Sequence, residues 1–333
     1  MEEVKALKDV YAGDFLVGFA QDRMPEAYAH LLEHFNAVTP ENALKWERVH
    51  PRPDVYFFDV VDKLVQDAEA RGMRVIGHTL VWHNQTPRWV FEDAKGDRVD
   101  RETLLERMRE HIHTVVGRYG SRIKGWDVVN EAVADDGQMR QSPWYAILGE
   151  EFIERAFEWA DEACPDTELY YNDYGLANRQ KRQGAIALVR RLQEKGIRID
   201  AVGIQGHFDV YDPPIDDVRQ AIEEFAALGV KVMITELDVS VYAWSERRNL
   251  YAGGLPDELA ELQAKRYAEL FKLFREYRQV IDRVTFWGIT DLTSWKNHFP
   301  VVGRTDYPLL FDRSGAYKPA FWAVHDPDGY ASR

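Results

Sequence analysis

Short apolar runs alternate with longer segments along the whole chain, and the two kinds of segment differ in period. The short runs are nearly continuous stretches of Val, Ile, Leu and aromatic residues, which is typical of strands buried on both faces. Eight strands are predicted: Phe15–Ala20, Asn36–Asn42, Arg74–Trp82, Ile123–Glu131, Glu168–Tyr174, Ala201–His207, Lys231–Asp238 and Val284–Asp291.

In the longer segments, apolar residues recur every three or four positions, which is typical of helices that pack one face on a core. Eight helices are predicted: Pro25–Phe35, Val60–Gly72, Arg101–Gly120, Glu150–Cys164, Asn178–Gly196, Ile215–Gly229, Glu261–Arg278 and a last one from Lys318. Four of them end on glycine, which readily takes the left-handed conformation found at helix C-termini.

Eight strands that alternate with eight helices predict parallel βαβ units, and a closed (β/α)8 TIM barrel is the simplest arrangement for that number. A doubly wound open sheet is the main alternative. It would normally carry a glycine-rich phosphate loop after its first strand, and residues 17–24 contain none. Because no Pro/Gly/Ser-rich linker divides the chain, we predict a single α/β domain over residues 1–333, without a separate carbohydrate-binding module.

The composition narrows the possible partners and the compartment. The net charge of −14 argues against binding to nucleic acid, which requires concentrated Lys and Arg. No apolar run is long enough for a transmembrane helix. The N-terminus is charged rather than signal-like, and Cys164 is the only cysteine, so we expect a cytoplasmic protein. The sequence does not indicate an oligomeric state.

Polar residues cluster at the C-terminal ends of the predicted strands, where the catalytic groups of such barrels lie. Side chains at alternate positions of a strand share a face. Asp127, Val129 and Glu131 therefore form one set, and Val232, Ile234, Glu236 and Asp238 form another. We expect the apolar start of each set to face the barrel interior.

Gln205 and His207 share a face in the same way, as do His78 and Trp82. An inward Glu is unfavourable to bury without a partner. A buried ion-pair network would account for either Glu131 or Glu236 alone. Two such residues, flanked by Asn, His, Gln and Trp at five strand ends, favour an active site.

These strand ends give the chain a resemblance to a known family. It resembles the glycoside hydrolase family 10 endo-β-1,4-xylanases in seven segments that follow in the same order. They begin at Thr39 (TPENALKW), Gly77 (GHTLVWHNQTP), Trp126 (WDVVNE), Tyr171 (YNDY), Gly203 (GIQGH), Ile234 (ITELDV) and Phe286 (FWGITD). Segment 295–304 is most similar to the intracellular bacterial members, which are thought to cleave imported xylo-oligosaccharides.

The resemblance implies a retaining mechanism with two carboxylates about 5–5.5 Å apart. It assigns Glu236 as nucleophile and Glu131 as acid, then base, with His207 and Asp238 keeping Glu236 ionised. The positions of the two residues are compatible with this, because the fourth and seventh predicted strands face each other across an eight-stranded barrel. Asp127, on the face of Glu131, is expected to raise the pKa of Glu131 by like-charge repulsion.

The remaining site residues are also implied by the resemblance. Asn130 would bond the sugar 2-hydroxyl, and Tyr174 would line the leaving-group side. Trp287 and Trp295 would form aromatic walls. Substrate contacts are also expected from Glu41, Asn42, Lys45, His78, Trp82, Gln85 and Gln205. Gln85 and Trp295 would also crowd the position of the C5 hydroxymethyl group, which glucose carries and xylose lacks.

Three alternatives remain at this stage. Another retaining β-glycosidase of similar architecture, such as a cellulase, mannanase or β-glucosidase, would share the carboxylate pair. A sugar-binding protein without catalysis would bind oligosaccharides and not cleave them. A metal-dependent hydrolase is disfavoured because the one His-x-His, His111 and His113, falls within a predicted helix. We therefore expect xylan or xylo-oligosaccharides as substrate, and neither a metal nor a cofactor.

Overall fold

The computed structural model describes residues 4–331 and confirms the predicted alternation of strands and helices. The strands are β1 (Leu16–Ala20), β2 (Ala37–Thr39), β3 (Arg74–Val81), β4 (Ile123–Asn130), β5 (Glu168–Asp173), β6 (Ala201–Ile204), β7 (His207–Asp209), β8 (Lys231–Ser240) and β9 (Ile281–Phe286). All strand pairings among them are parallel.

Eight of these strands close into a ring. The hydrogen-bonded order is β6-β5-β4-β3-β2-β1-β9-β8, and β6 pairs in turn with β8. The short strand β7 pairs only with the upper part of β8, where His207 lies opposite Asp238. The chain is therefore a (β/α)8 TIM barrel, as predicted.

Helices surround the ring. They are α1 (Leu7–Val10), α2 (Trp46–Val49), α3 (Asp59–Ala70), α4 (Arg101–Tyr119), α5 (Pro143–Leu148), α6 (Glu151–Ala163), α7 (Arg179–Glu194), α8 (Ile215–Ala226), α9 (Asp257–Glu276), α10 (Pro319–His325) and α11 (Pro327–Ala331). Short 3-10 segments cover Glu26–His34, Arg88–Val90, Gly120–Arg122, Asp291–Thr293 and Trp295–Asn297. Every helix within residues 4–331 is too short or too polar to cross a lipid bilayer.

Several element boundaries differ from the prediction for identifiable reasons. The first predicted helix is a 3-10 segment, which Tyr28 interrupts with a non-helical backbone. The predicted sixth strand is broken at Gly206, whose φ of 80° turns the chain before β7. Helix α5 was not predicted, although Ser142 caps it by accepting a hydrogen bond from the Tyr145 amide, with Pro143 at its first position.

The interior of the barrel is lined by a small apolar cluster from four strands. Its members are Ile76, Tyr170, Ala201 and Met233. The larger core lies between the barrel and the helices, and Val232 belongs to it. The expectation that the apolar start of the β8 set faces the interior is therefore wrong, because Val232 packs outward and its neighbour Met233 packs inward.

A bulge in β8 explains why the side chain of Glu236 nevertheless points into the barrel mouth. Between Ile234 and Leu237, β8 takes three steps where β9 takes two, so one extra residue reverses the alternation. Thr235 and Glu236 consequently both reach the side chain of Asn172 on β5. Similar register shifts lie between β3 and β4 and between β4 and β5.

Candidate active site

All the polar strand ends meet at one end of the barrel, because parallel strands point the same way. Glu131 directly follows β4, and Gln205 directly follows β6. His207 begins β7, and Trp287 directly follows β9. Each side chain therefore lies in a strand or on the residue directly after one, and this fixes the geometry of the site.

Glu236 is buried, and it receives a hydrogen bond on each carboxylate oxygen. The Nε2 atom of His207 lies 3.0 Å from Oε1, and the amide of Asn172 donates to Oε2 at 2.8 Å. Burial raises the pKa of Glu236, but these hydrogen bonds and nearby histidine charges outweigh it and lower the pKa to about 2. Glu236 is therefore ionised at neutral pH.

His207 connects Glu236 to a second carboxylate. Its Nδ1 atom lies 3.0 Å from both oxygens of Asp238, which is fully buried. Burial lowers the pKa of His207, but Asp238 and Glu236 outweigh it and raise the pKa to about 9. The imidazole is thus a cation at neutral pH and donates to both acids. The Trp295 indole also donates to Asp238, at 2.8 Å.

Within residues 4–331, the donors to the Glu131 carboxylate are both neutral. The indole of Trp82 donates to Oε2 at 2.6 Å, and the amide of Gln205 donates to Oε1 at 3.1 Å. The Glu131 backbone adopts a left-handed conformation with φ of 57°, which non-glycine residues rarely take. Arg140 holds this turn, because its Nε donates to the Glu131 carbonyl at 2.8 Å.

A row of amides joins the two carboxylates. Asn172 donates both to Glu236 and, at 2.8 Å, to the side-chain oxygen of Asn130. Gln205 lies 3.5 Å from the same Asn130 oxygen and also donates to Glu131. The two acids therefore lie at the two ends of one hydrogen-bonded set of side chains.

Asn172 was not predicted as a site residue, although it lies in the YNDY segment at the end of the fifth predicted strand. Its role depends on contacts with β4 and β8, which its own sequence context does not reveal. Space for it comes from Gly203, because a Cβ there would lie 2.5 Å from the Asn172 oxygen and 2.8 Å from the Thr235 methyl group. Gly203 is thus a close-approach glycine.

Asp127 lies in the site, and its contact is with a histidine. Its Oδ2 atom lies 2.7 Å from Nδ1 of His78, and both residues are buried. His78 in turn meets the ring of Trp287 edge-on, with centroids 5.2 Å apart. Asp127 therefore orients His78 against an aromatic wall. The expected effect of Asp127 on the pKa of Glu131 stays a prediction.

Four of the predicted substrate-binding residues lie at the mouth after β2 and β3: Glu41, Asn42, Lys45 and Gln85. The ammonium group of Lys45 donates to Asn42 at 3.0 Å and lies 5.0 Å above the Trp82 ring. Burial lowers the pKa of Lys45, and burial together with Asp22 raises the pKa of Glu41 to about 7.

Gln85 completes this group. Its amide donates to Asn42 at 3.4 Å, and its backbone has a φ of 44°.

Tyr174 lies on the opposite side, close to Glu131. Arg140 donates to its hydroxyl at 3.0 Å, and the ammonium group of Lys181 lies 3.3 Å from its ring centroid. Lys181 also pairs with the buried Asp173 at 3.1 Å. Burial raises the pKa of Asp173 to about 6. Tyr174 is thus fixed by two cations, Arg140 and Lys181, whose positions the sequence did not indicate.

The aromatic walls belong to the segment after β9, which the last part of the chain anchors. The buried ammonium group of Lys318 donates to the carbonyls of Tyr307 and Leu309 at 2.7 and 2.6 Å. It also pairs with Asp291 at 2.9 Å. This anchor fixes the segment that carries Trp295.

The arrangement suits two-carboxylate chemistry. An ionised carboxylate beside an imidazolium can attack an electrophilic carbon, and a second carboxyl group held by neutral donors can exchange a proton. Across residues 4–331, no group of three or more His, Cys, Asp or Glu side chains is placed to hold a metal ion. His111 and His113 both lie within α4.

Comparisons with known proteins agree with this two-carboxylate chemistry. Residues 6–327 match glycosyl hydrolase family 10. Endo-1,4-beta-xylanase B of Paenibacillus barcinonensis is 45% identical over 330 residues, covering 98% of this chain and 99% of that protein. An endo-1,4-beta-xylanase of Geobacillus stearothermophilus is 46% identical over 326 residues, covering 96% of this chain and 98% of that protein. A crystal structure of a xylanase from P. barcinonensis with a conduramine derivative superposes with a TM-score of 0.95 at 44% identity, covering 98% of this chain and 100% of that one.

Proposed function

This chain belongs to glycosyl hydrolase family 10, and from that membership we propose the roles of its individual active-site residues. The chain is a retaining endo-1,4-β-xylanase. The observation on which the roles depend is the contrast between its two acids. Glu236 is ion-paired with His207, whereas Glu131 accepts hydrogen bonds from the neutral side chains of Trp82 and Gln205.

In the first half of the reaction, Glu236 attacks the anomeric carbon and Glu131 gives its proton to the departing glycosidic oxygen. The products are a glycosyl ester on Glu236 and the free aglycone sugar. The pKa of Glu236, lowered to about 2, keeps the nucleophile ionised. The hydrogen bonds from Trp82 and Gln205 aim the Glu131 carboxyl group.

In the second half, Glu131 takes a proton from water, and the resulting hydroxide attacks the same carbon and releases Glu236. The change from acid to base follows from electrostatics. Once Glu236 is an ester, its negative charge is gone, and the nearby Glu131 loses its proton more easily. Two displacements at one carbon restore the original configuration.

Asn130 acts on the sugar rather than on the bond. We assign it to the 2-hydroxyl of the xylose being cleaved, where a hydrogen bond strengthens as positive charge develops on the ring. Its side-chain oxygen already accepts from Asn172, which fixes the orientation of the amide. The Asn130 NH₂ group is then oriented to donate toward the substrate.

In this proposal, the glycone subsites are formed by the substrate-binding residues after β2 and β3 and by the two aromatic walls, Trp287 and Trp295. Lys45, Asn42 and Glu41 offer donors and acceptors to sugar hydroxyls, and His78 contacts the sugar beside Trp287. Gln85 and Trp295 occupy the space that the C5 hydroxymethyl group of glucose would need. Such steric discrimination amounts to a few kcal/mol, so residual activity on aryl cellobiosides is expected. Tyr174 lies on the leaving-group side.

A 2-fluoro-xylobioside with an activated leaving group tests the assignment directly. The fluorine slows the second displacement, so the glycosyl ester accumulates. We expect mass spectrometry to find one 2-fluoroxylobiosyl group on the peptide that contains Glu236. Labelling of any other residue would contradict the assignment, and 2-fluoro-cellobioside serves as the control for sugar specificity.

We further propose that the enzyme works in the cytoplasm on short xylo-oligosaccharides. Two features support this: the single cysteine, Cys164, and the resemblance of segment 295–304 to intracellular members of the family. Fractionation of the producing cells should place the activity in the cytosol rather than in the medium. Kinetics should show a higher kcat/KM on xylotriose to xylohexaose than on polymeric xylan. Activity recovered mainly from the medium would contradict the location.

A further inference from the structure

Two exposed aromatic rings lie at the rim of the mouth, next to the nucleophile side. Trp244, after β8, is 57% exposed, and Phe299, after β9, is 45% exposed. Their ring centroids are 5.8 Å apart, and Phe299 stacks on Trp295 at 4.8 Å. Trp295 in turn lies 4.6 Å from the ring of His207. The aromatic surface therefore extends from the catalytic centre to solvent.

A buried cation lies against this surface. Lys296 is only 5% exposed, and its ammonium group lies 5.3 Å from the Trp295 ring and 5.6 Å from the Trp244 ring. Within the described part of the chain, its side chain has no ion pair and no hydrogen-bond acceptor, whereas Lys181 and Lys318 each have a carboxylate partner. An ammonium group that is held in one place without a partner is expected to attract an anion.

The nearby acids are already occupied. Burial raises the pKa of Asp306, and its hydrogen bonds and the charge of Lys296 offset this only in part. Its oxygens accept from the Ser240 hydroxyl and from the amides of Val241 and Tyr307. At the rim, Glu246 is neutralised by Arg248 in a pair at 2.8 Å.

Arg247 adds a second cation to this place, 5.6 Å from the Trp244 ring. In a chain of net charge −14, this group of residues is locally positive. We call Trp244, Arg247, Lys296 and Phe299 the rim patch.

We propose that the rim patch is a subsite for a uronic acid branch on the xylan chain, with Lys296 binding the branch carboxylate and Trp244 stacking on its sugar ring. The proposal rests on the xylanase function above and names a substrate feature within it. A flat exposed indole suits the apolar face of a pyranose ring, and an unpaired ammonium group suits a carboxylate. A neutral branch would contact the Trp244 indole but would not neutralise Lys296, and a small free anion would neutralise Lys296 without stacking on Trp244.

The test compares three xylo-oligosaccharides of equal backbone length. One is unbranched, one carries a single glucuronic acid, and one carries the same branch after reduction of its carboxyl group to the alcohol. For the wild-type enzyme, we expect kcat/KM on the acidic substrate to exceed that on the reduced one by roughly 10-fold, the effect of one charge-assisted hydrogen bond. Added NaCl should shrink this ratio.

The variants separate charge from stacking. Lys296→Met should bring the acidic-to-reduced ratio to about one, leaving the unbranched kcat/KM within about twofold, while Lys296→Arg should keep most of the preference. Trp244→Ala should weaken both branched substrates alike. Lys63→Met, at a 67% exposed helix position, is the control for net charge and should change none of the ratios.

Two results would overturn the proposal. The first is a ratio of kcat/KM on the acidic substrate to kcat/KM on the reduced substrate that is the same in Lys296→Met as in the wild type. The second is an equal loss of kcat/KM on all three substrates in Lys296→Met, which is expected if the cation only packs between the two indoles. A wild-type enzyme that does not cleave even the unbranched substrate would instead refute the proposed function. That outcome is distinguishable, because it does not involve the branch.

Discussion

The two catalytic acids differ in what surrounds them rather than in what they are. Glu236 lies within β8, buried, between a cationic imidazole and an amide. Glu131 follows β4 on a left-handed turn and receives hydrogen bonds from an indole and an amide. A charged donor favours the ionised form strongly, and neutral donors favour it less. One functional group thus serves as nucleophile in one place and as proton carrier in the other.

The largest expected effect comes from removing the nucleophile. Glu236→Gln keeps the shape but cannot form the ester, so kcat on xylotetraose should fall by about 10⁴-fold or more. Circular dichroism should show an unchanged fold. A residual rate within about 100-fold of wild type would contradict the nucleophile role. Azide added to Glu236→Ala should yield an α-glycosyl azide, because the small anion attacks once, directly.

Removing Glu131 should have an effect that depends on the leaving group. For Glu131→Ala we expect a loss of about 10²–10⁴-fold on xylo-oligosaccharides, whose departing oxygen needs a proton. A 2,4-dinitrophenyl xylobioside needs no such proton, so its first step should stay fast and a burst of dinitrophenol should appear. Azide should here give a β-glycosyl azide. Equal losses on both substrates would remove the distinction between the two acids.

Asp238→Asn should make the surroundings of Glu236 more like those of Glu131. Without the Asp238 charge the pKa of His207 falls, so Glu236 loses its cationic donor and its own pKa rises. The acid limb of the kcat/KM profile should therefore move to higher pH, with a loss of about 10- to 100-fold at neutral pH. An acid limb that stays in place would show that His207 does not set the ionisation of Glu236.

The smallest effect concerns folding stability. The folded-state pKa of His207 is raised to about 9, so its contribution is complete below pH 6.5 and is lost as pH rises through 9. The pKa of Glu236 is lowered to about 2, so its contribution is complete above pH 4.5 and is lost as pH falls through 2. The difference in free energy of unfolding between wild type and His207→Gln should therefore shrink on either side of pH 4.5–6.5. Urea titrations would measure it.

The sequence predicted the barrel and most of the site because both follow from local patterns. Gly72, Gly120, Gly196 and Gly229 all have a positive φ at helix ends, as expected from their positions. The two glutamates could be found because polar residues at the ends of apolar strands are unusual on a buried surface.

The parts that were missed depend on neighbouring strands. Val232 and Glu236 face opposite ways because of the bulge between Ile234 and Leu237, and this bulge is visible only when β8 is aligned with β9. The contact of Asp127 with His78 joins β4 to β3, and Asn172 contacts residues from β4 and β8. A single strand's alternation cannot contain a register shift that its partner imposes.

That bulge also limits how this scaffold can be redesigned. Engineers commonly transplant the connecting loops of such barrels and treat the strands as an interchangeable frame. Here the extra residue that turns Glu236 toward substrate lies inside β8 itself. If the same sequence were joined to a regular strand without this bulge, the carboxylate of the residue equivalent to Glu236 would point outward into the helical layer. Useful grafts from this enzyme must therefore take the upper strand segments together with the loops they support.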